Sequence, residues 1–182
     1  MDRLRVVLAT VVTVLASEGY QAPNPPSSHL KKLNTDEAAD WYEIYSVVLR
    51  DWEPHVQTWT ILRETRASPF CLKPVPGLAS RYRPIIEDYE RKNKGTFALV
   101  PKFDLPDYTL AWPQGRLNEA KGVASLSAIG FSNDRNRAGV CVDVGHSGGS
   151  SGTCLFMLRE GGRWRKDTDD HAGCGFGGGV FR

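Results

Sequence analysis

Cys141 and Cys154 flank a glycine-serine run, Gly145-His146-Ser147-Gly148-Gly149-Ser150-Ser151-Gly152. A turn centred between Ser147 and Gly148 sets the two cysteines directly opposite each other on paired antiparallel strands, at a separation that suits a disulfide. The middle of the chain is thereby restricted to a hairpin. Cys71 and Cys174 complete an even set of four. Four cysteines allow three pairings and the sequence alone does not choose among them; we favour Cys141 with Cys154 and Cys71 with Cys174, the second tying a proline-rich loop to the tail. Free, buried thiols are the alternative.

The β pattern extends to both sides of that hairpin. Val123 to Ser132, Ala138 to Val144, Gly152 to Arg159 and Arg163 to Lys166 are strand-like and are joined by turn sequences, Asn133-Asp134-Arg135-Asn136 and Glu160-Gly161-Gly162 among them. Upstream, Asn34 or Thr35 caps a helix with Asp36 and Glu37 in its first turn. Trp41, Ile44, Tyr45, Val48 and Trp52 form its apolar stripe, and Pro54 ends it. His55 to Arg66 favours a strand, and Ala67 to Ala79 a proline-rich loop. A second helix is expected from Pro84, with Ile85, Ile86 and Tyr89 buried and Gly95 as its stop. Thr96 to Phe103 reads as a short strand, and Asp104 to Gly122 as an irregular connection. The expected fold class is α+β: an antiparallel meander of three to four or more strands covered by one or two helices.

The N-terminus sets the compartment. Arg3 and Arg5 precede an apolar run of eleven residues, Val6 to Ala16, which ends in Val14-Leu15-Ala16. This is the layout of a signal peptide over residues 1–16, and the run falls short of the roughly 20 residues a membrane-spanning helix needs. Residues 17–33, with Pro23, Pro25 and Pro26, read as a flexible Pro/Ser leader. Residues 34–170 read as one globular domain and 171–182 as a glycine-rich tail without regular structure. Export places the cysteines where disulfides persist, so the expected location is secreted or periplasmic. With a net charge of +2 the chain lacks the excess positive charge that nucleic acid selects, and no integral membrane span is expected once the signal is cleaved.

Several motifs invite a catalytic reading. Gly145-His146-Ser147-Gly148-Gly149 fits Gly-x-Ser-x-Gly, the turn that lifts a nucleophilic serine above a hydrolase sheet, and Asp167 with His171 would nominally complete a triad. That turn opens a helix in such hydrolases, whereas Gly152 to Arg159 reads as strand, so a glycine-rich hairpin turn is preferred. Gly173-Cys174-Gly175-Phe176-Gly177-Gly178 matches the dinucleotide pattern by letter but leaves no room for the strand and helix it requires. Asp143, His146 and Cys154 lack familiar zinc-ligand spacing, so neither a metal nor a cofactor is implied.

Tyr42 to Leu49, Ile61 to Thr65, Ile86 to Asn93, Ser127 to Ser132, Ala138 to Val142 and Cys154 to Leu158 with Gly161 to Trp164 together resemble a loose set of uncharacterised exported bacterial proteins. Where those proteins tend to carry cysteine and glycine before the second hairpin strand, this chain has serines between His146 and Gly152. The resemblance implies export and no assigned activity. The function expected is that of a non-catalytic binding or interaction domain at the cell envelope or outside the cell, with an unidentified ligand or protein partner. A small secreted serine hydrolase using Ser147 is the alternative.

Overall fold

The computed structural model describes residues 29–52, 56, 58–68, 79–112, 122–146, 149–168 and 174–177. The signal segment 1–16, most of the leader, Cys71, Ser147 and His171 lie outside the described residues.

Two helices, α1 (Thr35–Trp52) and α2 (Ala79–Lys92), accompany one mixed eight-stranded sheet. Its strands are β1 (Trp59–Leu62), β2 (Tyr108–Ala111), β3 (Gly122–Leu126), β4 (Gly130–Phe131), β5 (Arg137–His146), β6 (Gly149–Glu160), β7 (Arg163–Lys166) and β8 (Cys174–Gly177). Their order is β2-β1-β3-β5-β6-β7, with β4 beside β5 and β8 beside β6. The fold class is therefore α+β, but the expected meander is corrected. β1 runs parallel to both β2 and β3, and parallel neighbours need long crossovers rather than turns. One such crossover contains α2, between β1 and β2.

The hairpin is where the spacing of the cysteines put it. β5 and β6 pair over ten residue pairs, from Arg137 opposite Leu158 to His146 opposite Gly149. Cys141 faces Cys154 and is bonded to it, with the Cα atoms 4.0 Å apart. Because side chains alternate along a strand, the two faces of the sheet differ. Val140, Val142 and Val144, with Leu155 and Met157, share a core with Trp41, Ile44, Tyr45 and Val48 of α1. Cys141, Cys154 and Phe156 face the other way, toward Tyr82, Ile85 and Tyr89 of α2. The helices thus cover opposite faces instead of sharing one.

α2 lies close on its strand. A Cβ at Gly130 would stand 2.2 Å from the Ile85 carbonyl oxygen, so only glycine admits this approach. Asn93 donates to and accepts from the backbone of Ala128, and Asp88 accepts the Phe131 amide at 2.9 Å. Pro84, expected at the helix start, lies inside α2. The extra turn is anchored by Tyr82, stacked on Phe156 at 4.1 Å. That contact offsets the hydrogen bond the proline cannot make.

Three further expectations change. The connection 104–122 holds β2. Thr96 to Phe103 forms only isolated bridges, Phe97 to Lys31 and Ala98 to Glu64, instead of a strand. The tail, expected to lack regular structure, contributes β8, whose Cys174 pairs in register with Cys154. The Cys71–Cys174 bridge itself lies outside the described residues. Among the described residues no helix is long and apolar enough to cross a membrane.

Candidate functional site

α1 has two working flanks. The first meets α2 and β7 through charges. Lys92, 9% exposed, reaches Glu37 at 2.9 Å and Asp88 at 3.0 Å. Its ammonium lies 4.7 Å from the centre of the Phe131 ring and 5.7 Å from that of Trp41. Arg135 lies near the same Phe131 ring at 4.9 Å and bonds Asp40 at 2.9 Å. Asp40 also meets Arg159 at 3.4 Å and accepts the Trp164 indole N–H at 3.1 Å. Arg135 holds this position with a left-handed backbone, φ 55°, a conformation that side chains other than glycine adopt only when their surroundings fix it.

Electrostatics in this flank are closed. Burial alone would raise the Asp88 carboxyl, but the Phe131 amide, Lys92 and Arg91 outweigh it and hold Asp88 below the usual carboxylate range. A polar depression of about 520 Å³ opens beside it, lined by Glu37, Glu87, Asp88, Arg91, Phe131 and Arg135 among others. Glu37, Asp88, Arg91 and Arg135 already neutralise one another or a neighbour. This flank is a clamp between the helices and the sheet.

The second flank is a groove of about 670 Å³ between α1 and the segment 98–104. Ala38, Ala39, Tyr42, Ser46 and Arg50 recur at helical spacing along one side, and Ala98, Val100, Lys102 and Asp104 form the other. The two small side chains, Ala38 and Ala39, keep the floor low. From Thr35 to Arg50 the helix rises about 22 Å, which sets the length of the groove. Val100 is 45% exposed, the one large hydrophobic among the described residues left open to solvent.

The wall is held by α1 itself. Tyr42 Oη accepts the Val100 amide at 2.8 Å, and Ser46 Oγ accepts the Asp104 amide at 2.8 Å while donating to the Tyr42 carbonyl. Burial raises the Tyr42 hydroxyl above its ordinary pKa, against the lowering effect of the Val100 N–H, so it is a neutral phenol at physiological pH. Arg50 and Asp104 close one end with a 3.1 Å pair. Lys32 and Lys102 stand at the rim, and neither ammonium has a carboxylate partner among the described residues.

The catalytic candidates fall elsewhere. Ser147 and His171 lie outside the described residues. Asp167 is 2% exposed, bonded to the Arg137 guanidinium and accepting the Tyr82 hydroxyl at 3.3 Å. Its carboxylate is thus engaged in joining α2 to β5. Asp143, on the α2 side of the sheet opposite Ser125 and Gly152, is raised above the ordinary carboxylate range by burial. Among the described residues no three His, Cys, Asp or Glu side chains converge as a metal site would require. The groove was missed from sequence because its walls lie more than fifty residues apart in the chain. The available signal was Ala38-Ala39 inside an otherwise bulky helix.

This chain matches no known protein family, no curated protein and no solved structure.

Proposed function

We propose that this chain is an exported, non-catalytic binding domain and that the groove between α1 and segment 98–104 is where it meets its ligand. The single observation behind this reading is the apolar lining of that groove, in which Val100 on the wall facing α1 is left exposed opposite Ala38 and Ala39. Solvent-exposed apolar surface of this kind, rimmed by polar groups, is what ligand and partner sites present. An exported setting is supported by the Cys141–Cys154 bridge, since disulfides persist in oxidising compartments.

Titration with a neutral naphthylamine dye, whose emission rises in apolar surroundings, tests the reading. Saturable binding is expected, and Ala39→Trp, which fills the floor from an exposed helix position, should abolish it while leaving the fold intact by circular dichroism. Equal dye binding by wild type and Ala39→Trp would exclude the groove as the site.

A further inference from the structure

Resting on that reading, we infer that the groove takes an amphiphile with one anionic head and a hydrocarbon tail, a free alkyl carboxylate, with Lys102 neutralising the head.

Two features select this class. The first is the state of the backbone along the wall. The amides of Ala98, Val100, Lys102 and Asp104 are already bonded, to the Lys31 carbonyl, Tyr42 Oη, the Val100 carbonyl and Ser46 Oγ. A peptide laid in the groove would bury its own C=O groups against donors already in use, and an unpaired buried polar group is costly. A hydrocarbon asks for no such partners. Leu33, Ala38, Ala39, Ala98 and Val100 offer it apolar surface, with the Tyr42 hydroxyl and the Glu43 carboxylate as polar neighbours in the lining.

The second feature is the charge at the rim. Asp104 and Arg50 satisfy each other, which leaves Lys102 as the cation of that end with no carboxylate partner among the described residues. The Lys102 backbone N–H donates to the Val100 carbonyl at 2.8 Å, which keeps its Cα next to the point where the Val100 amide donates to Tyr42 Oη. Tyr42 uses its oxygen as an acceptor there, and its own proton meets no acceptor among the described residues. The Tyr42 O–H from the α1 wall and the Lys102 ammonium from the facing wall give an apolar trough the two donors a carboxylate head needs, with the tail running toward Ala38 and Leu33. Charge-assisted bonds of this kind are the strong ones.

Isothermal titration of the folded chain with decanoate, and with decanol as the uncharged control, tests the inference. Decanoate is expected to bind more tightly than decanol. Lys102→Gln should weaken decanoate about tenfold and leave decanol unchanged, the cost of one charge-assisted contact. Lys32→Gln, at the far end, should change neither. If Ala39→Trp blocks the naphthylamine dye but decanoate and decanol bind wild type alike, the carboxylate inference is overturned and the groove reading stands. If Ala39→Trp leaves dye, decanoate and decanol binding unchanged, both fall. Binding of the chain to anionic vesicles without binding of free decanoate would also overturn the inference, because it would make the lysine a membrane contact.

Discussion

One helix presents two contrasting surfaces. Along Glu37, Asp40 and Trp41, α1 meets α2 and β7 through a network in which each of these two carboxylates has a cation and Lys92 is shared between Glu37 and Asp88. Around the helix from these, along Ala38 and Ala39, the same element borders a groove with an apolar lining, whose rim lysines Lys32 and Lys102 have no carboxylate partner among the described residues. The lesson lies in the cost of disturbing each. Removing one member of a buried ionic network strands its partners away from water, whereas changing an exposed lysine removes little that folding depends on.

The sharpest break of that contrast is Lys92→Met. It keeps the apolar stem over Trp41 and Phe131 but leaves Glu37 with Arg135 alone and Asp88 with Arg91 alone, and we expect a loss of about 2–4 kcal/mol in urea unfolding. A loss below about 1 kcal/mol would show that the clamp is ornamental. Next comes Gly130→Ala, where the added methyl meets the Ile85 carbonyl and α2 must shift; a cost of about 1–3 kcal/mol is expected, read as a lowered midpoint at unchanged slope.

Two carboxylates sharpen the comparison through pH. Asp88 has its folded pKa below the unfolded value, so the stability it contributes is present above the unfolded carboxylate value of about 4 and is lost as pH falls through the folded one. Asp143 is raised, so its contribution has the opposite sign: it is present below about 4 and lost as pH rises through the folded value. Asp143→Asn should therefore stabilise the chain at neutral pH, with the gain shrinking in acid, whereas Asp88→Asn should destabilise it at neutral pH. Thermal unfolding of both variants from pH 3 to pH 7, a range spanning the ordinary carboxylate value near 4, checks the two slopes; equal slopes would refute the assignment. The smallest effect belongs to the groove: Lys102→Gln and Val100→Ser should each change stability by less than about 0.5 kcal/mol, so any loss of binding there is read without a folding correction.

What the sequence disclosed was local. The stripe Trp41, Ile44, Tyr45 and Val48 is buried as its helical period demands, and the symmetric cysteines located the hairpin because both signals depend on neighbours within one element. The long-range features were not legible. Nothing in Tyr108-Thr109-Leu110-Ala111, a short run between Pro106 and Pro113, announces a strand; it becomes one because β1 supplies a parallel edge from nearly fifty residues upstream. Pro84 is tolerated inside α2 because Tyr82 finds Phe156, a contact that the local sequence does not encode. The groove was hidden for the same reason, its second wall being assembled by hydrogen bonds from Tyr42 and Ser46 to distant amides.

The Cys141–Cys154 bond closes a loop of few residues between strands already laddered over ten pairs, so its larger effect concerns alignment. Glycine and serine at the hairpin tip impose little preference of their own on which residue faces which. A slip by one position on β5 would turn Val140, Val142 and Val144 out of the α1 core and carry Asp143 into it. The covalent link makes that mispairing impossible once it has formed, and so protects the boundary between the two faces of the sheet at the strand where an error would do most harm.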